Sequence, residues 1–398
     1  MKSILIILVL SFSFVSYGQN LWPKSAVKLV KNFTYPFHNS FVGTIWSSCR
    51  AKNYRLNKIK NTELLDVEFN NSYYESGKVR IKIALQRNNT DYSKAPIAIV
   101  INGIFGNQVS GLARQLGKVM LETGYHVIFL GNPLGVENIV QKPKYPLGHF
   151  IEESHAYLET LKSAVNWISE KQLNTGIVRL IGVSYGSFTA AIMTALDSKE
   201  DFPIIFDTTL LSPPIEMASA LKNMDQILID TKKYGGRSKA RHNLAAIRFC
   251  LYNKSANSSQ KVIDIAKSLF GYSGFQNSLV ESTILADNIY NIGKIPTSKK
   301  DFKTWKRNFF FKTYLNEYAS ELRYLMFDKR GTLKYWIDKI RLNNKLNLRV
   351  FTSLDDPLNL GESWNGIPNV LSTERGGHYG LRSFLFYEKF LMESFRIH

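Results

Sequence analysis

Four predominantly apolar runs, separated by helical patterns, constrain this chain more than any other feature. Residues 96–101, 125–130 and 178–183 are short and mostly apolar, and 204–211 adds a fourth strand-like run. A strand that is apolar on both faces must be covered on both, as in the middle of a parallel sheet. Residues 109–123, 152–172 and 187–196 lie between these runs and read as helices. In the second of them Tyr157, Leu161, Ala164, Val165 and Ile168 share one face. Strand and helix in alternation predict parallel strands joined by right-handed crossovers, with helices on both sides of the sheet. Two runs with period-two alternation, 64–69 and 79–85, precede this pattern. They predict antiparallel strands joined through Asn70, Asn71 and Gly77. The alternation stops after Pro214 and resumes at 348–352.

Those boundaries divide the 398 residues into four parts. Residues 1–18 carry Lys2, an apolar run over 4–15 and Ser16-Tyr17-Gly18, the order of a secretory signal segment. The run is too short for a confident membrane span, so the expectation is an exported protein, periplasmic or secreted. Residues 19–60 are aromatic-rich without a clear period and are expected to wrap the domain. Residues 61–213 and 346–398 form the α/β core. Residues 214–345 form a helical cap insertion, with 24 Lys and Arg against 11 Asp and Glu in a chain of net charge +19. Such a field attracts anionic partners. In an exported protein these would be an anionic membrane surface, lipid or glycan rather than nucleic acid. A solvated basic surface serving solubility is the plainer alternative. Cys49 and Cys250, the only cysteines, can form a disulfide after export, although their positions alone do not pair them.

Gly182-Val183-Ser184-Tyr185-Gly186 sits where a buried strand runs into a helix. A Gly-x-Ser-x-Gly sequence in that context lifts the serine hydroxyl above the carboxyl end of the sheet and leaves the next backbone N–H free for an oxyanion. Ser184 is therefore the candidate nucleophile and Tyr185 N–H one oxyanion donor. A serine needs a base. Of seven histidines, His378 stands out in Glu374-Arg-Gly-Gly-His-Tyr-Gly380, after the last strand, where glycines permit close backbone approach. His149 is the runner-up. The orienting acid is expected just past the strand 348–352, where Asp355 and Asp356 adjoin. Counting three residues on from Thr352 selects Asp355, with Asp356 as alternate and turn cap. The glycine-bearing loop Asn102-Gly103-Ile104-Phe105-Gly106 supplies the second oxyanion donor, Ile104 N–H, with Phe105 as alternate.

The order Ser184, Asp355, His378 is that of the α/β-hydrolases, and residues 60 to 395 resemble that superfamily. The segments Ser-Leu-Asp-Asp-Pro and Gly-Gly-His-Tyr-Gly are similar to those of its YheT-like esterase branch. The resemblance implies an α/β-hydrolase fold and hydrolysis of carboxylic esters through an acyl-enzyme, with no metal or organic cofactor. Asn102 departs from the histidine many members carry at that position. The large basic insertion means that no substrate can be carried over.

Other chemistries lack their signatures. The chain has no phosphate-binding Gly-x-x-x-x-Gly-Lys-Ser/Thr, no Gly-x-Gly-x-x-Gly after a strand and no His-Glu-x-x-His. The triad itself leaves an acyltransferase and a peptidase open beside the esterase. A non-catalytic binder of anionic envelope lipids or glycans is the rival from another class. The segment 305–314 mixes aromatic and basic residues and suits either a lipid-facing surface or a cap helix with its aromatics packed inward.

Overall fold

Nine strands form one sheet: β1 (Thr62–Asn70), β2 (Lys78–Asn88), β3 (Asp91–Tyr92), β4 (Ala95–Ile101), β5 (His126–Leu130), β6 (Asn174–Val183), β7 (Asp207–Leu211), β8 (Asn347–Ser353) and β9 (Val370–Thr373). The computed structural model describes residues 21–396 except 51–53, 89–90, 133, 206, 236–245, 252–258 and 342–346; the expected signal segment lies outside them. The strand order is β1-β2-β5-β4-β6-β7-β8-β9, and β3 pairs only with β2. β1 and β2 are antiparallel, with Leu64 opposite Ala84, and β2 meets β5 antiparallel. From β5 through β9 every pairing is parallel. This mostly parallel sheet with flanking helices is the α/β-hydrolase fold.

The order explains where a site can form. The sheet grows from β4 outward to β5 on one side and to β6 on the other. At such a switch point the loops leaving two neighbouring strands diverge and open a crevice beyond their carboxyl ends. The loop after β4 begins at Asn102, and the turn after β6 is Ser184.

The helices follow from the same patterns. α1 (Lys24–Lys31) and α2 (Ser40–Arg50) precede the sheet. α3 (Gly111–Glu122), α4 (Val136–Ile139), α5 (Phe150–Glu170) and α6 (Tyr185–Asp197) lie within the strand alternation, and α7 (Met217–Gly235) follows β7. β4, β5 and β7 are buried at every residue. α6 is buried at all but one of its thirteen positions, which explains its small and apolar composition.

Several elements were not anticipated, the short β3, α4 and β9 among them. β9 is four residues long, a poor signal for any periodicity. α1 and α2 occupy the span 19–60, which showed no clear period. Trp22, just before α1, sets its ring against Phe351 at 6.3 Å and Phe390 at 5.3 Å, and α1 packs along the C-terminal helix Leu385–Phe395. α2 lies against the helix Gln260–Ser268 of the inserted span. Cys49 in α2 and Cys250 are joined as a disulfide. The inserted span is helical where described, but its last helix, Leu333–Arg341, packs on α6 and so joins the core layer instead of the cap. No helix among the described residues is long and apolar enough to cross a membrane.

Candidate active site

The turn from β6 into α6 is fixed by what cannot fit there. A Cβ on Gly182 would meet Gly186 O and Ser187 Cα, and one on Gly186 would meet the carbonyls of Ile101 and Asn102. Glycine is required at both positions because backbone approaches backbone. Ser184 between them has φ 53° and ψ −122°, a conformation that costs a non-glycine residue on the order of 1–3 kcal/mol and persists only where the surroundings enforce it. The enforcement is visible: Ser184 N–H donates to Leu211 O at 2.9 Å. Ser187 Oγ donates to the same carbonyl at 2.9 Å and accepts from Leu211 N at 3.0 Å.

Ser184 Oγ lies 3.1 Å from His378 Nε2. His378 Nδ1 lies 2.9 Å from Asp356 Oδ2 and 3.2 Å from Oδ1. All three residues are buried, Asp356 down to 1% exposure. Asp356, and not the expected Asp355, therefore meets the imidazole. β8 runs one residue past Thr352, to Ser353, so the turn starts later than the count assumed. Asp355 points its Oδ1 at Gly376 N–H and Gly377 N–H, both at 2.8 Å. Burial raises its pKa, against the pull of those two donors. The acidic neighbours divide the work: Asp355 holds the backbone of the histidine loop and Asp356 meets the imidazole. Asp356 Oδ1 also accepts from Leu358 N at 2.9 Å, capping the following turn.

The histidine loop is held from a second direction. Thr44 in α2 accepts from His378 N at 3.0 Å and donates to Ser40 O at 2.7 Å. Gly377 has φ 58°, and a Cβ there would meet Ser40 O and Thr44 Oγ1. Ser353 Oγ donates to Gly377 O at 2.7 Å. Phe270, from the cap, packs edge-on to the imidazole at 6.3 Å.

Tyr185 opens α6, so its N–H has no carbonyl one turn earlier in the helix to bond. Its phenol reaches back to Glu153 Oε2 at 2.9 Å and Gly148 O at 3.1 Å. Glu153 is completely buried, and burial raises its pKa well above the usual carboxylate range. The Asn102–Gly106 loop is a tight turn, with Gly106 N–H on Gly103 O at 2.9 Å. Asn102 braces it: its Nδ2 donates to Asn107 O at 2.7 Å and its Oδ1 accepts from Gly103 N at 2.9 Å. Ile104 lines the cleft with Ser184. Phe105 N–H is directed to Asn132 Oδ1 at 3.4 Å. Of the two candidates in this loop, Ile104 lines the cleft and Phe105 does not.

The cleft around Ser184 measures about 290 Å³. Leu269, Phe270 and Phe275 of the cap, and Thr44, Ile45 and Ser48 of α2, close it opposite the sheet. Larger hollows of about 740 and 710 Å³ lie elsewhere, among charged side chains on or beside β1 and β2, and contain neither Ser184 nor His378. His149 caps α5, accepting from Glu152 N at 3.3 Å. His126 accepts from Gln86 N–H at 2.9 Å inside the sheet. Neither meets Ser184. Sequence reasoning did not single out Thr44, Tyr379 or Arg382. Tyr379 has φ 63° and lines the cleft with Arg382, and its phenol donates to Leu211 O at 3.2 Å. Burial raises that phenol's pKa well above its ordinary value. Adjacency to His378 was the one signal available for it. Among the described residues no group of three His, Cys, Asp or Glu side chains could hold a metal ion.

No family model and no curated protein matches the chain. Among solved structures, it is similar to fungal esterases from Rhizomucor miehei, at 12% identity over 92% of this chain and 98% of that one, with a TM-score of 0.48. It is also similar to an esterase of Pyrococcus furiosus, at 13% identity over 86% and 95%, with a TM-score of 0.44. The α/β hydrolase GrgF from a Penicillium species is a third, at 13% over 84% and 100%, with a TM-score of 0.42.

Proposed function

We propose that this α/β-hydrolase-fold chain is a serine hydrolase that cleaves carboxylic esters. One observation carries the reading: an unbroken line of contacts from Ser184 Oγ through His378 to Asp356 at a strained strand-to-helix turn. Ser184 Oγ attacks the ester carbonyl while His378 Nε2 takes its proton. Asp356 holds the imidazole with Nε2 toward the serine and stabilises the imidazolium. Negative charge forms on the carbonyl oxygen, which the N–H groups of Tyr185 and Ile104 receive; one such donor is worth roughly 3 kcal/mol. The C–O bond to the alcohol then breaks and His378 returns the proton to the leaving oxygen. Water repeats the sequence on the acyl-enzyme, giving the acid and free Ser184.

The cleft volume lies at the small end of ligand pockets, which favours short esters over long acyl chains. Export remains part of the reading, supported by the order of residues 1–18 and by the Cys49–Cys250 bridge, a bond that persists in oxidising compartments. The basic cap suits an anionic membrane surface. Trp305 packs against Phe309 at 4.5 Å and Phe302 at 5.7 Å, so attraction there would be chiefly electrostatic. A fluorophosphonate probe tests the central step. It should label the wild-type chain on Ser184 and leave Ser184→Ala unlabelled; labelling that survives the substitution contradicts the proposal.

A further inference from the structure

Among the described residues, Arg382 is the one Lys or Arg that lines the cleft, and no Asp or Glu lines it. Arg382 follows the histidine loop by four residues, and its backbone is fixed at both ends. Its N–H donates to Tyr379 O at 3.2 Å, and its carbonyl accepts from Gln115 Nε2 at 2.9 Å. The guanidinium is not satisfied in the same way. Its Nε is shut off from solvent and has no acceptor, and the guanidinium forms no ion pair among the described residues. Withdrawal from water is strong enough to lower its pKa. Natural proteins rarely leave a guanidinium desolvated and unpaired, because the charge loses its hydration without gaining a counter-ion. A planar fork of N–H donors matches one chemistry above others, a carboxylate or phosphate held through two oxygens.

A second feature points the same way. Ser110, Gly111 and Leu112, at the start of α3, line the same cleft. α3 is twelve residues long and its N-terminus has no side-chain cap, so backbone donors and the positive end of the helix dipole face the space Arg382 borders. The Ser110 hydroxyl is already committed to Asn107 O at 3.1 Å, which leaves the helix amides and Arg382 as the free donors. Ile45, Leu112, Leu269, Phe270 and Phe275 give much of the remaining wall an apolar surface, beside the polar Thr44, Ser48 and Asn102.

We infer that the cleft is built for an ester whose acyl or alcohol part carries a carboxylate, seated on Arg382 and the N-terminus of α3 while Ser184 attacks the ester carbonyl. One guanidinium and one helix end match a single negative charge better than the two of a phosphate monoester. The small cleft keeps the anion within a few bonds of the scissile carbonyl. The inference rests on the esterase reading and names the substrate class of that site.

Its test reads binding without turnover. In Ser184→Ala protein, calorimetric Kd values are measured for two matched pairs: monomethyl succinate against methyl succinamate, and 4-acetoxybenzoate against 4-acetoxybenzamide. The pairs place the charge on the acyl and on the alcohol side. At least one carboxylate should bind about tenfold or more tighter than its neutral amide, the range of a charge-assisted hydrogen bond. Adding Arg382→Gln should bring that pair to near equality, and Arg382→Lys should keep part of the preference, with near-ultraviolet circular dichroism verifying each fold. Equal binding in both pairs overturns the inference, as does a preference that survives Arg382→Gln. Fluorophosphonate labelling of the wild-type chain is scored separately. A labelled chain without anion preference defeats this inference alone, and an unlabelled chain defeats the esterase reading.

Discussion

The cleft has a floor and a roof built on different principles. The floor is the β6–α6 turn and the Asn102–Gly106 loop. It is held by backbone pressed on backbone at Gly182 and Gly186 and by hydrogen bonds from Ser184 and Ser187 to Leu211. The roof is α2 and the Leu269–Gln276 stretch of the cap, more than 200 residues apart in the chain. It is held by apolar packing, one hydroxyl and one disulfide: Phe41 meets Phe270 at 5.5 Å, Thr44 meets His378 N and Cys49 is bonded to Cys250. His378 and its two acids stand between, tied to both. On the proposed function, the difference assigns the chemistry to the floor and, to the roof, the holding of the histidine loop and the control of what enters.

Substitutions that separate the two halves should differ in kind as well as size. The largest effect is expected from the acid pair. Asp356→Asn should lower kcat by on the order of 10⁴-fold with the fold intact, the size seen when the acid behind a catalytic histidine becomes an amide. Asp355→Ala should cost stability, since it removes the acceptor of two buried amides, and much less rate. Steady-state kinetics beside thermal melts check this; equal rate losses in the two variants would erase the division between them.

On the roof, Cys49→Ser should destabilise by about 3 kcal/mol, the typical gain from closing a long loop. The sequence separation is 201 residues. Melting with and without reductant measures it, and an unchanged melting temperature would detach the roof from the fold's stability. Thr44→Val keeps the shape of the side chain but removes the acceptor for His378 N. It should reduce kcat by about tenfold, the worth of one hydrogen bond of about 1 kcal/mol or somewhat more, with KM little changed.

The smallest effect lies beneath the floor. Glu153 has its pKa raised by burial, so the folded state holds its proton to higher pH than the unfolded state does. That favours folding below the ordinary carboxylate range and is lost progressively as pH rises from there toward the raised folded value. Glu153→Gln removes the titration. Relative to wild type, its unfolding free energy should improve as the pH rises from 4 to 7, as read by denaturant titration. A constant difference across that interval would mean that Glu153 does not titrate between the two states.

The same contrast decides what the sequence could disclose. The floor was legible because the residues that mark it are neighbours in the sequence. Glycines two residues on either side of Ser184 mark a tight turn, a β4 buried on both faces must be an apolar run, and the small residues of α6 follow from its burial. The roof was not, because nothing in Ser40–Arg50 signals that Thr44 will meet a residue 334 positions away. β9 is too short to show a period. Arg382 reads as an ordinary surface cation until its surroundings are known. The exchange of Asp355 for Asp356 falls between these cases: the sequence put two acids at the right strand end, but which one faces the imidazole depends on β8 running one residue further, a choice of pleat that no composition encodes.

The central claim, that Ser184 is the atom donor of an acyl-enzyme, is reached most directly by trapping that species. Wild-type protein mixed with p-nitrophenyl acetate, quenched in acid within the first turnover and mapped by mass spectrometry should carry one acetyl group on the peptide containing Ser184. Asp356→Asn should acquire it far more slowly. Turnover with the acetyl group on another residue, or with none at all on the Ser184 peptide under conditions where acylation outpaces deacylation, would contradict the account.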